Sequence, residues 1–165
     1  MEKINYLHEE DLGAVIRRYS DMVYRLAFTR TGNESDAWDV SQEVFLRLVK
    51  HREKIKDEEH LKAWLLRVTM NKCRNLLKSA FRRFSVPLEE AADRTAFTEE
   101  NELLNVVMTL KPKLRTPLYM YYYEEYSVKE IAELLGEKET TITTRLSRGR
   151  QKLKELITRE DKDEL

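Results

Sequence analysis

The first half of the chain places apolar residues at intervals of three and four along three long stretches. Residues with this spacing share one face of a helix, where they can pack together. The pattern predicts helices over residues 9–30 and 59–81 and, between them, a helix capped by Asn33 or Ser35. These helices are expected to form one bundle, and the residues expected to face its interior include Val15, Tyr19, Leu26, Val40, Val44, Phe45, Leu48, Leu61, Trp64, Leu65 and Leu77.

The second half repeats the helical spacing in shorter segments separated by capping signals. Pro112 suits the first position of a helix, and Pro117 is expected to bend that helix or shift its start. Ser127 and Glu130 have the spacing of a capping box, in which each side chain accepts a hydrogen bond from the backbone N–H of the other residue. Gly136 is expected to end the same helix in the left-handed conformation.

Residues 84–100 interrupt this pattern. They contain Pro87, an acidic pair and no sustained apolar period, which is typical of a flexible linker. The sequence has essentially no strand signal elsewhere. The predicted fold is therefore all-α, with two small helical domains, residues 1–83 and 101–165, joined by a short flexible linker at 84–100.

The charges are balanced overall but segregated along the chain. Its 165 residues include 30 Lys and Arg and 30 Asp and Glu, so net charge alone indicates neither a nucleic acid nor a membrane as partner. Residues 61–88 nevertheless carry seven basic side chains and no carboxylate, and residues 140–154 carry five, again with no carboxylate. Two long basic blocks in a neutral protein favour a nucleic-acid partner over an ordinary solvated helix face.

The remaining composition argues against several classes of protein. The single cysteine, Cys73, rules out an internal disulfide and fits a reducing compartment. No apolar run is long enough to cross a bilayer and the first residues lack a signal-peptide core, so we expect a cytoplasmic protein without membrane insertion. Three scattered histidines and four glycines offer neither a converging catalytic set nor a phosphate-binding loop. We expect no enzyme activity, no small-molecule substrate, no cofactor and no metal.

Residues 126–136 and 140–150 predict two short helices that meet at a glycine-containing turn, the arrangement of a helix-turn-helix. Thr140 or Thr141 is expected to cap the second helix. Opposite its apolar stripe, this helix carries residue types that read base edges in the major groove: Thr143, Thr144, Arg145 and Arg148. Basic residues farther along are expected to contact phosphates: Arg150, Lys152 and Lys154. The alternative is a plain helical hairpin with a solvated basic face.

Five short motifs connect the chain to a known family. The C-terminal half contains LKPKLR (110–115), YSVKEIA (126–132) and RLSRGR (145–150), and the N-terminal half contains DAWDVSQEVFLR (36–47) and AWLLRVTMN (63–71). These motifs resemble regions 4 and 2, respectively, of the extracytoplasmic-function sigma factors of bacterial RNA polymerase. Either set alone would be moderately specific, whereas both in this order with a short linker are highly specific.

The resemblance implies a transcription initiation factor that recognises promoter minus-10 and minus-35 elements. Region 2 of such factors binds the polymerase through an acidic helix, which corresponds here to Asp36, Asp39, Gln42, Glu43 and Arg47. It also binds the minus-10 element, at positions that correspond to Asn71, Lys72, Asn75, Lys78, Arg82 and Arg83. Region 4 binds the minus-35 element through its helix-turn-helix. The implied partners are core RNA polymerase, promoter DNA and an anti-sigma factor.

Trp38 is one departure from the family pattern, since it stands where an acidic residue is common. It is either an anchor for a partner or part of the core. Lys138 and Thr140 are a second departure, because they replace small residues before the recognition helix.

A stand-alone helix-turn-helix regulator is the alternative function. Its N-terminal bundle would serve as a sensor or dimerisation module, and it would bind duplex DNA without polymerase. A helical adaptor that binds no DNA conflicts with the segregated basic blocks.

Overall fold

The computed structural model describes residues 6–9, 11–84 and 102–163, and every regular element in these ranges is helical. The chain divides into two compact units, Met1–Ala91 and Ala92–Leu165. The fold is all-α, as the apolar spacing predicts. Residues 85–100 of the predicted linker lie outside the described ranges.

The first unit is a bundle of three long helices. A short helix precedes the bundle, and a 3-10 turn separates its last two helices. In chain order the elements are α1 (Tyr6–Glu9), α2 (Leu12–Thr31), α3 (Glu34–His51), the turn Arg52–Lys54, and α4 (Glu58–Phe84). Helix α2 packs against both α3 and α4, and α3 packs against α4. Most of the predicted interior is confirmed, because these stripe residues are fully buried: Val15, Leu26, Val44, Leu48, Leu61 and Leu65. Trp64 is the exception among the residues expected inside, since it is only half-buried.

Capping side chains determine where the first helices begin and end. Asp11 has an extended backbone and accepts a hydrogen bond from the N–H of Gly13 at 3.0 Å, so α2 begins one residue after it rather than at residue 9. Gly32 ends α2 in the left-handed conformation, with φ 64°. Asn33, one of the two predicted caps of α3, accepts a hydrogen bond from the N–H of Asp36 at 2.9 Å.

The second unit contains four described helices: α5 (Glu102–Met108), α6 (Pro112–Tyr122), α7 (Val128–Leu135) and α8 (Glu139–Asp163). Pro112 occupies the first turn of α6 as predicted, and Pro117 lies inside the same helix without shifting its start. Helices α6 and α7 both pack against α8. The apolar residues of the predicted helix-turn-helix are buried: Ile131, Ala132, Ile142 and Leu146.

Both ends of α7 have the predicted caps. The Oγ atom of Ser127 accepts a hydrogen bond from the N–H of Glu130 at 3.1 Å, and Oε2 of Glu130 accepts one from the N–H of Ser127 at 2.8 Å. This completes the capping box. Gly136 ends the helix with φ 67°, a conformation that glycine adopts at little cost.

The start of α8 differs from the prediction. The helix begins at Glu139, and the N–H of Ile142 donates to the backbone oxygen of Lys138 at 3.1 Å. An N-cap residue lies just before the first helical residue. Thr140 and Thr141 therefore belong to the first turn of the helix, and the expectation that one of them caps it is wrong.

Gly149 allows α8 to approach α6 closely. A Cβ atom at this position would lie 2.6 Å from Cδ1 of Leu118, a side chain that is itself buried. Such a distance is too short for two carbon atoms, so the Leu118 side chain or one of the two helices would have to shift. The close approach also places the exposed residues after Gly149 beside the C-terminal end of α6.

Gly149→Ala should therefore destabilise the second unit by about 1 kcal/mol, because the cost of overpacking, about 1–3 kcal/mol, outweighs the roughly 1 kcal/mol that Ala contributes to a helix. Amide hydrogen exchange of α6 and α8 in the full chain measures this change. Ser147→Ala is the matched control, since Ser147 is exposed on the same helix. Exchange in Gly149→Ala as slow as in the control would contradict the close contact.

Candidate nucleic-acid and polymerase interfaces

The outer side of α8 presents an exposed row of polar side chains. Helix α7 packs on the opposite side, where Ile142 and Leu146 are buried. Four residues near the N-terminal end of α8 are exposed: Thr143, Thr144, Ser147 and Arg148. This separation of buried and exposed faces is what a recognition helix requires, because its inner face holds the unit together while its outer face enters the major groove.

The two threonines have their hydroxyl hydrogens engaged. Oγ1 of Thr143 donates to the backbone oxygen of Glu139 at 3.0 Å, and Oγ1 of Thr144 donates to that of Thr140 at 2.9 Å. Each side chain can then offer a base edge only its methyl group and the acceptor capacity of its oxygen. Those groups suit a thymine methyl group or the amino group of adenine or cytosine.

Arg145 was expected on the exposed face of α8, but it does not lie there. Its side chain is only 20% exposed, and Nη2 lies 3.2 Å from Oε1 of Glu137 in the turn before α8. The helical period explains this, because Arg145 stands three residues after the buried Ile142 and four before the buried Gly149. The guanidinium group therefore connects α8 to the preceding turn.

Arg150, Lys152 and Lys154 are exposed along the next turns of α8. Arg150 also contacts two aromatic residues at the end of α6 that the sequence reasoning missed. Its Nε donates to the hydroxyl of Tyr122 at 2.6 Å, and its guanidinium carbon lies 5.6 Å from the ring centroids of both Tyr121 and Tyr122. The run of three tyrosines at 121–123 was the one sequence signal for this contact, although Arg150 lies 28 residues from Tyr122.

One face of α4 collects several of the residues predicted to bind the minus-10 element. Asn71, Asn75 and Lys78 are exposed at helical spacing. The helix extends three residues beyond its predicted end at residue 81, so that Arg82 and Arg83 belong to it, but their side chains lie outside the described part of the chain.

Lys72 connects two of the predicted surfaces. Its Nζ lies 3.2 Å from Oε2 of Glu43 on α3, and its side chain is half-buried. Lys72 is a predicted minus-10 residue, whereas Glu43 is a predicted polymerase contact. In the first unit, the two surfaces therefore meet at this ion pair.

The predicted polymerase-binding residues lie on α3. Asp39, Gln42, Glu43 and Arg47 are exposed, whereas Asp36 is half-buried. Burial, and then the negative charge of Asp39, raises the pKa of the Asp36 carboxyl group above its usual value. Among the predicted polymerase-binding residues, the exposed carboxylates are those of Asp39 and Glu43.

Apolar side chains border the acidic residues of α3. Trp38 is 57% exposed, and its ring centroid lies 5.0 Å from that of Tyr24 on α2. Leu46 and Val49 are also exposed on α3 and were not singled out from the sequence. Trp38 is therefore a surface residue rather than part of the core, and this helix offers both charged and apolar groups to a partner.

The second unit also contains an apolar groove with a volume of about 380 Å³. Its apolar lining consists mainly of Leu103, Val107, Leu118, Tyr122, Leu153 and Ile157. Within residues 6–9, 11–84 and 102–163, no group of three or more His, Cys, Asp or Glu side chains is arranged to hold a metal ion. None of the described helices combines the length and apolar character needed to span a bilayer.

Comparisons with known proteins match both units. The family described as Sigma-70 region 2 matches residues 15–83, and the family described as Sigma-70, region 4 matches residues 100–153. The ECF RNA polymerase sigma factor SigE of Mycolicibacterium smegmatis is 29% identical over 155 residues, which cover 87% of this chain and 60% of that protein. RNA polymerase sigma factor SigV of Bacillus subtilis is 26% identical over 143 residues, which cover 84% of this chain and 86% of that protein.

A solved structure has a similar fold. It is the sigma factor RpoE in complex with the anti-sigma factor NepR from Bartonella quintana, which superposes with a TM-score of 0.71 at 19% identity and covers 90% of this chain and 97% of that one. Regions 2 and 4 occur in the same chain and in the order that the sequence motifs predict. The chain belongs to the extracytoplasmic-function sigma factors of the sigma-70 family.

Proposed function

We propose that this protein is a transcription initiation factor that binds core RNA polymerase and directs it to promoters. Residues 1–83 bind the polymerase and the minus-10 element, residues 101–165 bind the minus-35 element, and residues 84–100 link the two. One observation carries the proposal: region 2 and region 4 follow each other in one chain, and a described helix in each presents an exposed row of polar side chains.

In this proposal the outer face of α8 reads the minus-35 element. Thr143, Thr144 and Arg148 are its base-reading residues, because they are exposed near the helix end that enters the groove. Arg150 and Lys152 are exposed farther along the helix, and they hold the phosphates. Arg145 has a smaller role than the sequence suggests, since Glu137 already pairs with its guanidinium group.

The first unit has two roles on two helices. Asn71, Asn75 and Lys78 on α4 contact the minus-10 element, together with Lys72, Arg82 and Arg83. An amide side chain can both donate to and accept from an unstacked base, and a lysine attracts the backbone of a single strand. The exposed carboxylates of α3 dock on a basic helical segment of the polymerase, with Gln42, Arg47 and the half-buried Asp36 beside them.

The protein acts by binding and not by catalysis, and it works in the cytoplasm. Its regulation fits an anti-sigma factor as partner, since the structurally similar RpoE was solved in complex with one. Such a partner would compete for the surfaces that the polymerase needs.

The proposal predicts that the free chain binds promoter DNA weakly and that core polymerase makes the binding tight. Two weak contacts held at a fixed spacing can raise the apparent affinity by about 10²–10⁴. The measurement is a titration of duplex promoter fragments with the full chain, with core polymerase, and with both together. Tight, sequence-specific binding by the chain alone would favour the stand-alone regulator.

A further inference from the structure

Arg150 is held at the protein surface by two neighbouring tyrosines. The hydroxyl of Tyr122 accepts a hydrogen bond from its Nε at 2.6 Å, and the rings of Tyr121 and Tyr122 lie at equal distances, 5.6 Å, from its guanidinium carbon. The two rings meet edge to face, with centroids 5.0 Å apart. We infer that Tyr122 is a positioning residue that orients Arg150 toward a phosphate of duplex DNA, an inference that rests on the proposed role of Arg150.

The chemistry of the guanidinium group supports this role. Tyr122 engages only the Nε–H, and the two terminal nitrogens of Arg150 carry four further N–H groups. Two parallel N–H groups on those nitrogens match two oxygens of a phosphate. A guanidinium group packed against aromatic rings keeps its edge available for such hydrogen bonds, so the contact with the tyrosines and a contact with DNA are compatible.

The fold brings these residues together through backbone packing. Gly149 lets α8 lie against Leu118 of α6, and the next residue of α8 then reaches the last turn of α6. Arg150 also lies on the same helical row as Thr143 and Ser147, since Ser147 follows Thr143 by four residues and Arg150 follows Ser147 by three. Arg150 therefore extends the exposed face of the recognition helix. Both Arg150 and Tyr122 are exposed.

The expected benefit is entropic. A long arginine side chain loses conformational freedom when it binds a phosphate, and holding it in one orientation beforehand reduces that loss. Immobilising such a side chain costs about 0.5–1.5 kcal/mol, so release of Arg150 should weaken DNA binding by about two- to tenfold. Because Arg150 contacts phosphate rather than a base, the effect should be the same for every promoter sequence.

The test uses the full chain bound to core polymerase and duplex promoter fragments at low temperature, where strand opening is suppressed. Tyr122→Phe removes the hydroxyl and keeps the ring. Tyr121→Phe is the matched control, since it removes a hydroxyl from the adjacent ring that also faces Arg150. Arg150→Lys keeps the positive charge and loses the planar guanidinium group, and Arg150→Gln removes the charge. Affinities are measured at several salt concentrations, and unfolding temperatures are measured for each variant.

We expect Tyr122→Phe to weaken binding two- to tenfold on all duplexes with an unchanged salt dependence, and Tyr121→Phe to have a smaller effect. Tyr122→Phe should have no further effect when combined with Arg150→Lys. Arg150→Gln should weaken binding and reduce the salt slope by about one ion. A purely structural contact would instead lower the unfolding temperature of Tyr122→Phe and would still lower affinity in the Arg150→Lys background.

Three further outcomes would overturn the inference. If Arg150→Gln weakens binding but Tyr122→Phe does not, Arg150 binds DNA without help from Tyr122, and the proposed function stands. If Tyr122→Phe strengthens binding, the tyrosine withholds Arg150 from DNA. If Arg150→Gln has no effect, the phosphate-binding role of Arg150 fails together with the inference, while promoter-directed transcription by the holoenzyme still tests the proposed function separately.

Discussion

Reversing the charges of Asp39 and Glu43 together should lower the affinity for core RNA polymerase by about a hundredfold or more. Both side chains are exposed on α3, where they can face a basic helical segment of the polymerase. Placing like charges against each other in an interface costs several kcal/mol, and each 1.4 kcal/mol is about a factor of ten. The measurement is a titration of fluorescently labelled core enzyme with Asp39→Lys/Glu43→Lys.

The folded state should tolerate this double reversal. Among the described residues, Glu43 forms an ion pair with Lys72, and exposed ion pairs contribute about 0–1 kcal/mol. Reversal of Asp21 and Glu53, which are exposed elsewhere on the first unit, is the matched control with the same change in net charge. An affinity for core enzyme that falls equally in both double variants would exclude this face of α3 from the interface.

Arg148→Ala should cost about 1–3 kcal/mol on the preferred minus-35 element and reduce discrimination among sequences, if its contact is bidentate to a guanine. Arg148 is exposed and has no hydrogen-bond or ion-pair partner among the described residues of the second unit, so its guanidinium group is available to bind a base. The measurement is the affinity of the holoenzyme for single-base variants of the element.

Lys152→Ala is the matched comparison, because it removes one positive charge from the same helix one turn farther on. It should weaken binding to all duplexes alike and reduce the salt slope by about one ion. The difference in DNA affinity between the two variants distinguishes base recognition from phosphate binding. A uniform loss of affinity in Arg148→Ala would assign that residue to the phosphates and leave the base-reading role to the threonines.

Local signals in the sequence predict the helices and their ends well. The buried stripes of α2, α3 and α4 follow from apolar spacing, and the caps at Asn33, Ser127 and Gly136 follow from the chemistry of those residues. The caps depend on contacts within a few residues, and apolar spacing shows which face of each helix must be buried, so a sequence displays both directly. The outward direction of Thr143, Thr144 and Arg148 was predictable for the same reason, because it follows from the position of the buried Ile142 and Leu146.

Contacts between particular side chains of different helices were not predictable. The contact between Arg150 and Tyr122 joins residues 28 positions apart, and it exists because Gly149 permits a close approach to α6. The ring contact between Trp38 and Tyr24 likewise joins two different helices. The prediction of where α8 begins failed for a different reason. Adjacent residues offered several plausible caps, and only the backbone geometry distinguishes them.

The most direct test of the proposed function is transcription in vitro with core polymerase, the full chain and a pool of genomic fragments, followed by mapping of the RNA start sites. Core enzyme alone is the control. A promoter-directing factor should produce defined start sites that share two short upstream elements at a constant spacing, and these starts should be absent without the protein. Start sites that are identical with and without the protein, under conditions where the chain binds duplex DNA specifically, would contradict the proposal and favour the stand-alone regulator.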